Sequence, residues 1–194
     1  MIAAESLFAD NPIESVALRE IAAKAGNGNN NAVQYHFGGK DELVQAIFAW
    51  RVTQMEVPRG EAYAGIHEAG REPALADLVD ILCRPLLGLV DAHGRHTYAA
   101  FLTQYVIRHR PGGLAHAADI VSESTSVLRR LLADIHAACG FSQIGGGDYR
   151  IGLAHLTFAN MLAMSDSERL PSRDPAAFRE RVEATLAMII RALS

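Results

Sequence analysis

Residues 26–43, GNGNNNAVQYHFGGKDEL, crowd Asn27, Asn29, Asn30 and Asn31 into five positions and then change abruptly to aromatics, a glycine pair and a charged helix start. Asparagine is a poor former of helix interiors, so this stretch is not ordinary core. Two readings stand. The side chains imitate a backbone bend and simply make turns, or they form a small polar surface that another molecule reads.

The flanks narrow the choice. Before the stretch, Leu18, Ile21, Ala22 and Ala25 recur at helical spacing, with Ser15 as the expected N-cap and Gly26 as terminator. A first short helix carries Ile2, Ala3, Leu7 and Phe8 on one face and stops at Asn11-Pro12. After the stretch, a turn or two of helix is expected from about Asn30 to His36. Gly38-Gly39 then breaks the chain before a long helix from about Lys40 to Val57. Two short helices joined at AGNGN, the second led by small polar residues, have the form of a helix-turn-helix reader. Its second helix must fit a major groove about 12 Å wide, where an asparagine amide pairs with adenine and an alanine methyl meets thymine.

These motifs resemble the N-terminal domain of the TetR family of bacterial transcriptional regulators. The resemblance rests on AAESLF, LREIAAKAG, AVQYHF and GGKDEL, in order and at near-fixed distances over about residues 3–48. It implies that Asn29, Asn30, Asn31, Ala32, Gln34 and Tyr35 face operator double-stranded DNA and that Lys40 binds phosphate. Arg19 and His36 are further phosphate candidates, while Val33 and Phe37 pack inward. This sequence departs from the family pattern in three ways. One extra residue lies between Gly26 and Phe37, which leaves the recognition-helix register open by one position. Gln34 stands where an aromatic is usual. The chain also starts inside the first helix without the basic arm that usually precedes it, so a truncated start is expected.

Charge complicates DNA binding. Residues 1–57 hold four fixed positive charges against seven negative, a balance of −3 within a whole-chain balance of −4. Counterion release supplies much of the affinity of duplex binders. Weak nonspecific binding and dependence on dimerisation follow. An interaction module without sequence-specific DNA binding is the rival reading.

Beyond residue 57 the periodicity stays helical. Residues 58–72 read as a loop, and helices are expected at about 74–92, 95–109, 114–139, 147–168 and 175–193, with Pro85 splitting or kinking the first of these. The expected fold is all-α, about nine helices: a helix-turn-helix unit at residues 1–40 and an effector-binding and dimerisation unit at residues 41–194, with helix 40–57 as connector. Residues 149–164 are apolar on nearly every face, and the last helix adds a broad stripe. A homodimer interface is expected from Leu153, Leu156, Phe158 and Met161 with Phe178, Val182, Leu186, Ile189 and Leu193, as a four-helix bundle. An unknown small-molecule effector is expected among Trp50, Cys83, Leu86, Leu87, Tyr98, Phe101, Leu102 and Tyr105, with Met55 as a further candidate and His96, Arg108 or His109 fixing a polar group.

Composition sets the outer bounds. At 194 residues and 49% hydrophobic content the chain buries a core of its own. No run approaches the roughly 18 apolar residues of a membrane span, and Cys83 and Cys139 lack partners at metal-binding spacing. A cytoplasmic protein without a metal or cofactor is expected. His93 and His96 lie one turn apart, but no third ligand is evident nearby. There is no phosphate loop, nucleophile elbow or paired carboxylates in apolar context, so an enzyme is not expected.

Overall fold

The computed structural model describes residues 1–29, 31–108, 125–141, 147–167 and 174–194. Among them are nine α-helices, two short 3-10 segments and no strand. The helices are α1 (Ile2–Asp10), α2 (Leu18–Lys24), α3 (Ala32–Phe37), α4 (Lys40–Glu68), α5 (Leu75–Cys83), α6 (Thr97–Arg108), α7 (Ser126–Cys139), α8 (Gly147–Ser165) and α9 (Pro175–Leu193). The all-α expectation therefore holds. No helix among the described residues is long and apolar enough to cross a membrane.

The largest departure from the sequence reading is α4. Residues 58–72 do not form a loop: the helix runs through Pro58 to Glu68. Val52, Met55, Arg59, Tyr63 and Ile66 are buried at spacings of three and four, so one continuous stripe drives the helix past the proline. Pro58 itself is exposed, off the buried stripe and at the edge of the groove between α4 and α5. At about 1.5 Å per residue the 29 residues of α4 span roughly 44 Å, from the N-terminal unit deep into the bundle.

Ser15 is not the cap of α2. It closes a 3-10 turn, Ile13–Ser15, by donating to Pro12 O at 2.7 Å. The first residue outside α2 is Ala17, whose N–H donates to the Glu20 carboxylate at 2.7 Å, so the acid half of a capping box is present while the hydroxyl half is missing. Pro85 does split its helix, because α5 ends at Cys83 and a 3-10 segment, Arg84–Gly88, follows.

The N-terminal unit does not hang free on α4. α1 lies along α6, with Phe8 stacked on Phe101 at 5.6 Å between ring centroids and Gln104 donating to Ala9 O at 2.9 Å. Beneath them Glu5, fully buried, accepts from Arg51 Nε at 2.6 Å, Arg51 Nη2 at 2.7 Å and Thr97 Oγ1 at 2.7 Å. One carboxylate thus ties α1, α4 and α6. On the bundle side, α6 packs on α8, α8 on α9, and α5 on α7 and α9.

Removing one member of a buried, hydrogen-bonded ion pair strands the other, typically at about 3–5 kcal/mol. Glu5→Ala is accordingly expected to destabilise the chain by that order, measured by urea denaturation. The surface acid Glu61, replaced in the same way, should shift stability by less than about 0.5 kcal/mol.

Candidate nucleic-acid interface

The asparagine-rich turn is first a piece of backbone engineering. Gly26 adopts φ +72°, and behind it the Gly26 N–H donates to Ala23 O at 3.0 Å and the Asn27 N–H to Ala22 O at 2.9 Å, the paired bonds of a Schellman cap. Asn27 Oδ1 then accepts from Asn29 N at 2.9 Å, and Asn29 Oδ1 from Asn31 N at 3.0 Å. Two successive side-chain turns hand the chain from α2 to α3. The amide oxygens of Asn27 and Asn29 are therefore engaged within the turn, and Asn30 lies outside the described residues.

α3 starts at Ala32 with Asn31 just outside it, later than the expected start near Asn30. Val33 is buried and Phe37 packs against the core, which anchors the helix from beneath. Ala32, expected to face outward, is only 7% exposed, because it opens α3 on the inward side next to Val33. Asn31, Gln34, Tyr35 and His36 form the outer surface. Tyr35 is 84% exposed, and its ring meets that of His36 edge-on, with centroids 5.3 Å apart. The Gln34 amide nitrogen donates to Gly38 O, at the close of the helix. Gly38, at φ +89°, makes a turn there that side-chain-bearing residues rarely adopt.

The basic candidates divide. Arg19 is exposed on α2. Lys40 Nζ donates to Ile13 O at 2.9 Å and Glu14 O at 3.0 Å, so this ammonium pins the head of α4 to the turn before α2. Two of its three donors are used inside the protein.

The residues expected around an effector form a packed aromatic centre. Phe48, which sequence reasoning missed, lies 4.9 Å from Phe101, 4.5 Å from Tyr105 and 6.3 Å from Tyr98 between centroids. Cys83, Leu86 and Leu102 are buried and Leu87 is partly buried in the same core. Burial raises the Cys83 thiol to about 12, so it is present as the neutral thiol. Trp50 stands apart from this cluster: it is half-buried, with the Arg51 guanidinium 4.2 Å above its ring. None of these residues lines the open groove of about 390 Å³ between α4 and α5, which Pro58, Ala62, Ile66, Asp80, Ile81 and Arg84 border. Its α4 wall belongs to the stretch read as loop. His96 is turned inward, 3.1 Å from Asp166 at the end of α8, whereas His93 is exposed. Arg108 is exposed and His109 lies outside the described residues.

The dimerisation residues divide as well. Phe158, Val182, Leu186, Ile189 and Leu193 are buried within the single chain, where α8 and α9 pack on each other and on the bundle, so they complete the chain's own core. Phe178 is partly buried and stacks on His96, with ring centroids 5.8 Å apart. Leu153 is 43% exposed, with Leu156 and Met161 partly exposed. Tyr149, Met164 and Met188, which the sequence reading passed over, are also exposed large apolar residues on these two helices.

No curated protein matches the chain. Residues 1–47 match the family model described as bacterial regulatory proteins, tetR family. The match covers α1 to α3 and the head of α4, the elements whose packing displays the outer face of α3. Residues 1–47 are thereby similar to the N-terminal, DNA-binding part of bacterial regulatory proteins of the tetR family.

Proposed function

We propose that the chain is a cytoplasmic, homodimeric repressor whose α3 enters the major groove of operator DNA and which a small-molecule effector releases. The observation that carries this reading is the division of α3. Val33 and Phe37 hold it from below, while Asn31, Gln34, Tyr35 and His36 stand outward on a helix short enough to enter one groove. Asn31 makes no side-chain capping bond, which leaves its amide for base or phosphate. Tyr35, His36 and Arg19 supply phosphate donors. Lys40 contributes by fixing α4 and through whatever donor capacity its two carbonyl bonds leave.

Residues 1–40 act as the reading head and residues 41–194 as the effector and dimerisation unit. The connecting helix, α4, extends beyond the expected 40–57. The tie among Glu5, Arg51 and Thr97 gives a route of coupling, because a shift of α6 against α4 must be shared by α1. A ligand that favours one packing of α4 and α6 biases the head toward one orientation. Dimerisation uses the outer face of α8 and α9, with Leu153, Met164 and Met188 at its centre and Leu156 and Met161 beside them.

Tyr35→Ala should leave stability within about 0.5 kcal/mol, because the ring is exposed. It should weaken binding to the chain's own upstream duplex by roughly tenfold, about 1.4 kcal/mol, in fluorescence anisotropy at low and at moderate salt. Equal binding of the wild type to scrambled duplex at both salt concentrations would favour the interaction-module reading, which the acidic balance of residues 1–57 supports.

Leu153→Glu combined with Met188→Glu places charge on the outer face of α8 and α9 without entering the core. Light scattering on the eluting protein should report the monomer mass, against the dimer mass for the wild type. A dimer that persists unchanged moves the interface elsewhere.

A further inference from the structure

Arg59 is a buried cation with two of its three guanidinium nitrogens lacking a hydrogen-bond acceptor among the described residues. It is 1% exposed on the inner stripe of α4. Its Nη2 reaches only Met55 Sδ, at 3.7 Å, and Nε and Nη1 have no acceptor among the described residues. The nearest carboxylate, Glu56, stands 3.6 Å from Nη1, too far for a good hydrogen bond. Glu56 is held there by another task. Its Oε2 accepts from Val127 N at 2.8 Å and its Oε1 from Leu128 N at 3.0 Å, capping the first turn of α7. The acid therefore offsets the charge of Arg59 from a distance while its oxygens satisfy the donors of a different helix.

Such an arrangement is unfavourable for the protein alone, since a buried charge is tolerated when it is both paired and hydrogen-bonded. Burial pulls the guanidinium below its ordinary pKa, opposed first by the charge of Glu56 and then by Tyr98 and Cys83. The surroundings are otherwise apolar: Met55, Tyr98 and Cys83 are all buried. A guanidinium is a planar fork that matches the two oxygens of a carboxylate. A dianion beside Glu56 would leave two uncompensated negative charges in a dry site. A monoanion leaves one, next to the positive end of α7.

We propose that Arg59 is the anion-recognising residue of a buried ligand site between α4, α6 and the end of α5, and that its ligand is a small organic monocarboxylate whose apolar body packs against Met55, Cys83 and Tyr98. This deepens and rests on the reading of the larger unit as effector-binding. The ligand's carboxylate accepts from the free Arg59 donors while Glu56 stays on α7. Occupancy then stiffens the contact between α4 and α6, and α4 is the helix whose first residue, Lys40, grips the head.

The test uses the full chain without DNA, by calorimetric titration and thermal unfolding. The probes are acetate, benzoate, phenylacetate, salicylate and octanoate, with benzamide and octanamide as uncharged partners. At least one carboxylate should bind the wild type and raise its Tm with concentration, and its amide should bind at least tenfold more weakly. Arg59→Met should abolish that binding, and Arg59→Lys should retain part of it. Without ligand, Arg59→Met should melt at or above the wild-type temperature, because an apolar side chain of similar length replaces an unsatisfied charge. The proposal falls if no carboxylate binds at millimolar concentration, if amides bind as well as acids, or if Arg59→Met keeps the carboxylate. It falls equally if ligand-free Arg59→Met melts well below wild type, which would give Arg59 an internal partner. Failure of operator recognition alone would leave these measurements intact, so the two proposals are separable.

Discussion

Glu5 is the point on which the relation between the two units depends. Its carboxylate is fully buried, and three donors from two other helices converge on it. Charged hydrogen bonds in a dry setting are short and directional, so they fix the register of α1 against α4 and α6 more tightly than apolar contact alone. Around this polar knot the aromatic rings of Phe8, Phe48 and Phe101 stack, with spacings of 5.6 and 4.9 Å along the chain of rings. The polar bonds set direction, and the rings exclude the water that would loosen them. The N-terminal helices are thereby tied directly to the packing of the bundle.

α4 is the second constraint. Its buried stripe carries two arginines about two turns apart, Arg51, which joins α4 to α1, and Arg59, which lies among buried residues of the bundle. Arg51 is satisfied within the chain by Glu5. Arg59 is not, since its nearest acid is committed to α7. Of the two buried arginines on this helix, one has its donors met by a carboxylate and the other keeps two nitrogens without an acceptor among the described residues.

Most of the N-terminal unit was legible in the sequence, because its signals are local. Asn11-Pro12, Gly26 and Gly38-Gly39 punctuate the chain through backbone preferences that act over one to four residues, and the helices lie between these marks. The inward placement of Val33 and Phe37 and the outward placement of Gln34 and Tyr35 are as the family resemblance implied. The turn-making reading of the asparagines also holds, since Asn27 and Asn29 accept from backbone N–H groups two residues on. Two local details escaped the sequence reading: α2 begins on Ala17 with Glu20 accepting from its N–H rather than on a Ser15 cap, and Ala32 faces inward.

Farther along, the sequence by itself determined that the chain is helical and where Pro85 divides a helix. The tertiary structure decided what those helices face. Pro58 and its glycine-bearing surroundings read as a break, yet Arg59, Tyr63 and Ile66 continue the stripe and the helix persists, since burial summed over several side chains outweighs one missing backbone bond. The stripes of α8 and α9 announce burial without naming the partner. Phe158, Val182, Leu186, Ile189 and Leu193 are used inside the single chain, which leaves Leu153, Met164 and Met188 outside. Periodicity records that a side chain avoids water. Which surface keeps the water away is settled by contacts between residues far apart in the chain, and no local pattern encodes those.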